Sequence, residues 1–427
     1  MNYIRIKPNR LKGEITIPSS KSLCHRAIIC ASLSDGESII DNVVFSDDIY
    51  ATCEGMKKLG AQIEKIGEGS LRIRGGLPKY EAGETIDCKE SGSTLRFLIP
   101  ISLLSDKRVI FNGRGNLVSR PIDTYYRIFE EQNIKYRNDN GKLPLELEGK
   151  LKAGTFEVEG NISSQFITGL MFTLPLLNED SRIIVTTDLE SKGYVDLTID
   201  MLGKFGVEII NNEYKEFIIK GNQSYINRDY RVEGDFSQAA FWFVGGILGE
   251  EVVSQGVNLD SLQGDKIIVS LIEQMEGSLV KDNSTVNTLD SKTQGITIDA
   301  SQCPDLVPIL TVLASLSKGE TRIVNAGRLR IKESDRLKAI STELNKLGAD
   351  VKELEDGLII NGVEYLIGGT VDSWNDHRIA MSLAIASIKS KDEVIITNSD
   401  AVKKSYPSFW SDFKSLGGII DEFNMGK

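Results

Sequence analysis

Histidine and cysteine are scarce in this chain of 427 residues, and their scarcity removes two chemistries. Two histidines, His25 and His377, are too few for a histidine-built zinc site. The five cysteines (Cys24, Cys30, Cys53, Cys88 and Cys303) form no CxxC pair, so neither a disulfide framework nor a cysteine-rich metal motif is expected, and a reducing compartment suits them. No long apolar run is present: the longest, "AAFWFVGGILG" at Ala239–Gly249, falls well short of the roughly 20 residues that span a bilayer. Basic excess is also missing. The net charge of -11 argues against a general nucleic-acid binder. No GxxxxGK[ST] occurs, and no GxGxxG follows a strand, which disfavours nucleotide-dependent phosphoryl transfer. No carboxylate cluster has metal-ligand spacing, so chemistry without metal or cofactor is expected. The start, "MNYIRIKPNRLKGEITIP", alternates like a strand and carries charges throughout, unlike a signal peptide. These exclusions predict a cytoplasmic protein with no membrane or nucleic-acid partner.

What the chain does contain is a repeat. "KKLGAQIEKIGEGSLRIRGG" begins at Lys57: a helix end, a glycine, then two short alternating strands around a turn. The cadence returns as "EQNIKYRNDNGKLPLELEGK", "GKFGVEIINNEYKEFIIKGN" and "NKLGADVKELEDGLIINGV", with weaker copies at "EQMEGSLVKDNSTV" and "KSLGGIIDE". Aligned on the apolar residue that opens each strand, Gly60, Asn133, Gly206, Glu276, Gly348 and Gly417 fall in register, about 70 residues apart. A helix that turns directly into a strand commonly needs a left-handed residue there, which Gly or Asn supplies at little steric cost. Glu276 is the exception, and Gly277 is expected to take over its role. With helical stretches such as Asp47–Gly60 and Ser119–Gln132, each unit reads as βαβαββ. Six units divide naturally into two α/β domains of three, with Arg231–Ser237 as the candidate crossing.

Several stretches carry more polar function than packing needs. "IPSSKSLCHRAIICASL" places Ser19, Ser20, Lys21 and Arg26 at the start of an apolar helix. "KESGSTLRFL" does the same with glycine, hydroxyls and Arg96; "GRGNLVSRPID" sets Arg120 just before a proline; "GNISSQFITGLMFTLP" offers Ser163, Ser164 and Gln165. In the second half, "SQCPDLVPILTVLAS" places Asp305 at the mouth of an apolar helix. "RLRIKESDRLKAI" concentrates Arg328, Arg330, Lys332, Glu333, Asp335 and Arg336. "WNDHRIAMSLAIAS" and "DAVKKSYPSFW" add Asp376, His377, Arg378, Lys403 and Lys404. Taken singly, most read as well as a helix cap or a solvated charge run, but a buried helix does not need Asp376, His377 and Arg378 at its start, and the three polar residues Ser163–Gln165 suggest a ligand. Taken together, buried helices repeatedly begin with cations, hydroxyls or a carboxylate, and helix amino termini favour anions. If such ends gather and face one another, they make a cleft for phosphorylated, carboxylated small molecules. Asp305 and Glu333, set among cations, are its candidate acid–base groups.

In order along nearly the whole chain, "PSSKSLCHRA", "ESGSTLRF", "SRPID", "SSQF", "SKGYVD", "RIKESDR", "NDHRIAMS" and "KKSYPSF" resemble the 5-enolpyruvylshikimate-3-phosphate synthase family of enolpyruvyl transferases. The resemblance implies a two-domain inside-out α/β barrel of six βαβαββ repeats, three per domain. Residues 1–17 and 233–427 would form one domain and 18–232 the other. It implies transfer of the enolpyruvyl group of phosphoenolpyruvate to the 5-hydroxyl of shikimate 3-phosphate by a monomer, through addition and elimination. Shikimate 3-phosphate would meet Lys21, Ser22, Arg26, Ser163, Ser164, Gln165, Ser191, Tyr194, Asp305 and Lys332. Phosphoenolpyruvate would meet Lys21, Gly92, Arg120, Gln165, Arg336, Arg378 and Lys404. Asp305 matches the base for the 5-hydroxyl and Glu333 the acid for the methylene carbon, with His377 and Asp376 supporting elimination or orienting Arg378. An open form that closes on substrate is expected.

Three departures from the family pattern stand out. Glu90 replaces a common Asn, Gly193 a frequent Pro, and Arg328 a substrate-binding Asn whose role it is not assigned. The sister enzyme acting on UDP-N-acetylglucosamine carries a reactive Cys in a first-domain loop, and "GRGNLVSRP" has none. A non-catalytic repeat scaffold would have no use for Asp305, Glu333 and Asp376 among cations.

Overall fold

The computed structural model describes residues 2–424. The chain forms two compact units, Met1–Ser20 with Glu233–Lys427, and Lys21–Val232. Each encloses its own hydrophobic core.

The unit Lys21–Val232 contains helices α1 (Lys21–Leu33), α2 (Asp47–Lys58), α3 (Gly92–Ser102), α4 (Asp123–Gln132), α5 (Ser164–Thr173) and α6 (Lys192–Lys204). The other contains α7 (Phe236–Leu248), α8 (Ile267–Gln274), α9 (Val307–Ser315), α10 (Arg336–Lys346), α11 (His377–Ala386) and α12 (Phe409–Ser415). Alternate helices are apolar all round. Every residue of α7, α9 and α11 is buried, as a helix without a polar face requires. In α1, α3 and α5 every residue is buried except Lys21, Ser22, Ser93 and Gln165. The strands alternate instead: Leu143, Leu145 and Leu147 of Lys142–Glu148 point inward and their neighbours do not. Helices therefore fill each interior and sheets face outward, the reverse of a doubly wound fold.

Among the described residues, six four-stranded sheets, three per unit, share one order. In the simplest, Glu84–Asp87 runs parallel to Val109–Asn112, which pairs antiparallel with Lys142–Glu148, itself antiparallel to Lys135–Asp139. That is the expected βαβαββ repeat, a parallel crossover followed by a hairpin. Three sheets are completed by distant strands. Tyr230–Arg231 lies parallel to Gly36–Asp41, and Gly13–Thr16 parallel to Glu251–Gln255. Asn2–Lys7 inserts between Val394–Thr397 and Ile419–Asn424, supplying the hairpin strand that the truncated last copy lacks.

All six register positions adopt positive φ: Gly60 (108°), Asn133 (55°), Gly206 (82°), Glu276 (65°), Gly348 (86°) and Gly417 (92°). One expectation is corrected. Glu276 takes the left-handed conformation itself, and Gly277 does not. Gly277 serves another need, because a Cβ there would lie 2.6 Å from Ile272 Cγ2. Among the described residues, no helix is long and apolar enough to cross a membrane.

Candidate active site

In the unit Lys21–Val232, the expected residues collect at the amino-terminal ends of the inner helices. Lys21 opens α1, and its Nζ lies 2.8 Å from Asp48 Oδ2 in the first turn of α2. Ser163 caps α5 by accepting from Gln165 N at 3.3 Å, and Ser164, buried, follows it. The Gln165 amide is fixed at both ends: Oε1 accepts from Arg96 Nη1 at 2.8 Å, and Nε2 donates to Ser93 Oγ at 2.9 Å. Gly92 begins α3 behind its cap, Ser91, and Arg120 packs against it so closely that a Cβ at Gly92 would fall 2.6 Å from Arg120 Nη1. Ser191 adopts a φ of 54° just before α6, and Tyr194 follows in the first turn.

Arg26 sits differently from Lys21. Its guanidinium is buried and donates to Thr198 Oγ1 (2.9 Å), Ser22 O (2.7 Å) and Tyr194 O (2.8 Å). Burial brings its pKa down to about 10. Arg26 therefore ties α1 to α6, and one N–H on each terminal nitrogen remains beyond these bonds. His25, beside it, is buried and held by Thr52 Oγ1 at 2.7 Å. Burial, then the charges of Lys21 and Arg26, push its pKa well below 6.5, so it is neutral at pH 7.

In the other unit the expected residues form an ion cluster. Asp305 lies in the 3₁₀ turn Pro304–Leu306 ahead of α9, whose cap position is Leu306. The carboxylate is turned to cations: Oδ1 accepts from Arg336 Nη1 at 2.9 Å and lies 3.7 Å from Lys332 Nζ, while Oδ2 accepts from Arg378 Nη2 at 3.0 Å. Arg336, the first residue of α10 and 1% exposed, also bonds Glu333 Oε2 and donates through Nε to Asp376 Oδ2 at 2.8 Å. Asp376 is both the cap of α11, accepting from Arg378 N at 2.9 Å, and the buried anchor of Arg336. Lys404 Nζ reaches the Asn375 carbonyl. His377 is buried with Nδ1 3.9 Å from Asp376 Oδ1, outside hydrogen-bonding distance.

In this cluster Lys332, Arg336 and Arg378 face Asp305, Glu333 and Asp376. Burial alone would lower the Arg336 pKa, but Asp376, Glu333 and Asp305 outweigh it and raise it. Burial lowers Lys332 to about 8, partly opposed by Asp305 and aided by Arg328 and Arg336.

The family model for EPSP synthase (3-phosphoshikimate 1-carboxyvinyltransferase) matches residues 6–413. A 3-phosphoshikimate 1-carboxyvinyltransferase of Clostridium novyi (strain NT) is 61% identical over 435 residues, covering 100% of both chains. The chain belongs to the EPSP synthase family. Another 3-phosphoshikimate 1-carboxyvinyltransferase, from Clostridioides difficile (strain 630), is 54% identical over 100% of both chains. Among solved structures, EPSP synthase from Acinetobacter baumannii matches with a TM-score of 0.84 at 23% identity, covering 99% of this chain and 100% of that one. The enolpyruvyl transferase NikO from Streptomyces tendae matches with a TM-score of 0.81 at 15% identity, covering 100% and 99%. At such identities these two speak to the fold, the six-repeat inside-out architecture. Membership in a family of enzymes also disfavours the non-catalytic scaffold.

Three buried acids near the expected residues carried no signal in the sequence. Asp48, partner of Lys21, reads as one of two acids in the first turn of a helix capped by Ser46. Asp265 is buried, accepts from Ser237 Oγ, and is pushed up to about 7 by burial and then by Asp305, with Arg378 opposing. Glu343 is buried on α10 two turns beyond Arg336. Arg96 was visible as a cation, but its grip on Gln165 was not.

Proposed function

We propose that the chain transfers the enolpyruvyl group of phosphoenolpyruvate to the 5-hydroxyl of shikimate 3-phosphate, releasing phosphate. The observation that carries this reading is Asp305, an aspartate held between Arg336 and Arg378 with Lys332 nearby, at the mouth of a wholly buried helix. Asp305 takes the proton of the 5-hydroxyl as that oxygen bonds the central carbon of phosphoenolpyruvate. Glu333, released from Arg336 and having taken a proton from solvent, delivers it to the terminal methylene, making it a methyl and the central carbon a tetrahedral ketal. The Glu333 carboxylate then takes back a methyl proton as phosphate departs, which restores the double bond. Arg120, Arg336, Arg378 and Lys404 hold the phosphate and carboxylate of phosphoenolpyruvate as charge moves onto them, an electrostatic role worth about a hundredfold or more in rate per donor. Lys21, Ser163, Ser164, Gln165, Ser191 and Lys332 hold the phosphorylated acceptor. Five buried free thiols support a cytoplasmic location.

The test is phosphate release from phosphoenolpyruvate with each acceptor in turn. Shikimate 3-phosphate should support turnover, and Asp305→Ala and Lys21→Ala should each lower it by about a hundredfold or more. Turnover with UDP-N-acetylglucosamine alone, or undiminished turnover in both variants, overturns the reading.

A further inference from the structure

Helix α10 holds the segment Asp372–Asp376 at two points. The first is Arg336, which grips Asp376. The second, two turns along, is Glu343, whose side chain is 1% exposed. Glu343 Oε1 accepts from the Trp374 indole Nε1 at 2.8 Å, and Oε2 accepts from the Asp372 backbone N at 3.0 Å. Lys346, half exposed, approaches both oxygens at 2.9 and 2.7 Å. Between these grips the chain takes two consecutive left-handed residues, Trp374 (φ 54°) and Asn375 (φ 53°), neither of them glycine. Such a pair persists only where surrounding contacts over-determine it. Its product is specific: the Asn375 carbonyl meets Lys404 Nζ, and Asp376 follows in position to cap α11 and hold Arg336.

We propose that Glu343 is a positioning residue for the reaction, clamping Asp372 and Trp374 so that the left-handed turn sets Lys404 and Arg336 for phosphoenolpyruvate. The inference rests on the functional reading above. Glu343 touches none of the reacting groups. Its requirement is for an acceptor at both ends. A glutamine has one acceptor oxygen and one NH2, so one of the two N–H donors would face another donor.

Glu343→Gln should raise KM for phosphoenolpyruvate at least tenfold, leave KM for shikimate 3-phosphate within threefold, and speed hydrogen exchange at the Asp372 amide. Lys346→Met, which removes the ion pair and keeps the clamp, should leave both KM values within twofold. A merely structural lesion would reduce the active fraction, and hence the apparent kcat, without separating the two KM values. Equal effects of the two substitutions, or an unchanged KM for phosphoenolpyruvate in Glu343→Gln, overturn the proposal. If Glu343→Gln fails to fold, Trp374→Phe decides, since it deletes one N–H and keeps the ring: the same selective rise supports the clamp and its absence overturns it. If the unmodified chain releases no phosphate, the functional reading fails, and exchange across Asp372–Asp376 decides the clamp alone. Faster exchange in Glu343→Gln than in Lys346→Met supports it, and equal exchange overturns it.

Discussion

Arg336 Nε donates to Asp376 Oδ2 at 2.8 Å, and the two side chains are 1% and 0% exposed. Removing one member of such a pair leaves charge stranded away from water, at a cost of about 3–5 kcal/mol. Glu333, on the same guanidinium, is 19% exposed and can be rehydrated. The two contacts should therefore separate stability from catalysis. Asp376→Asn should lose about 2–4 kcal/mol in urea unfolding as well as activity, the residual bonds of Arg336 softening the loss. Glu333→Gln should lose under about 1 kcal/mol while turnover falls about a hundredfold or more. Equal stability losses would show that Arg336 does not depend on Asp376.

The contact between Gly92 and Arg120 makes a sharper kinetic prediction. An alanine Cβ at position 92 would lie 2.6 Å from Arg120 Nη1 and 3.0 Å from its Cζ. Those are the far atoms of a flexible side chain, so the guanidinium moves rather than the backbone. Alanine is also the better helix former. Gly92→Ala should keep or slightly raise the melting temperature while KM for phosphoenolpyruvate climbs about tenfold, the worth of one weakened charge-assisted bond. An unchanged KM would mean that Arg120 does not contact that substrate.

Lys332 supplies the pH dependence. Its amine titrates near 8 in the folded protein, lowered chiefly by burial, against an ordinary 10.5. Between those values the unfolded chain binds a proton that the folded chain does not, so stability rises with pH across the window. Below about 8 both states are protonated, and the folded state carries the whole penalty, about 3 kcal/mol. Lys332→Met should then stabilise the protein by about 1–3 kcal/mol at pH 7, with an advantage that shrinks towards pH 10, while KM for shikimate 3-phosphate rises sharply. For the unmodified enzyme that KM should rise as pH passes 8. Destabilisation by Lys332→Met at pH 7 would refute the assigned cause.

The residues that could be read from the sequence are those whose role is local. The helix-to-strand turns at Gly60, Asn133, Gly206, Gly348 and Gly417 announce themselves because conformation at one residue selects Gly or Asn. The buried helices announce themselves because they lack a polar face, and the helix starts at Lys21, Ser163 and Asp376 because polar residues there have little packing to do. What stayed hidden are partners joined only by folding. Asp48 is 27 residues from Lys21, and Asn2–Lys7 completes a sheet with strands at the other end of the chain. Asp265 and Glu343 sit in segments that read as ordinary helix and turn. Arg26 was visible as a cation beside a helix start, yet three of its donors bind Thr198, Ser22 and Tyr194.

Glu276 is where the repeat and its residue disagree, and the disagreement is measurable. Its positive φ, 65°, falls to Gly or Asn at the five equivalent turns. A non-glycine residue there carries strain of about 1–3 kcal/mol, offset in a glycine replacement by the larger entropy of the unfolded chain. Glu276→Gly should therefore stabilise the protein by about 0.5–1 kcal/mol, read as a small rise in melting temperature with activity unchanged. The adjacent Gly277→Ala should do the reverse, because its Cβ would lie 2.6 Å from Ile272 Cγ2 and 3.1 Å from the Ile272 carbonyl oxygen. A lower melting temperature for Glu276→Gly, with Gly277→Ala tolerated, would place the conformational demand on Gly277 after all.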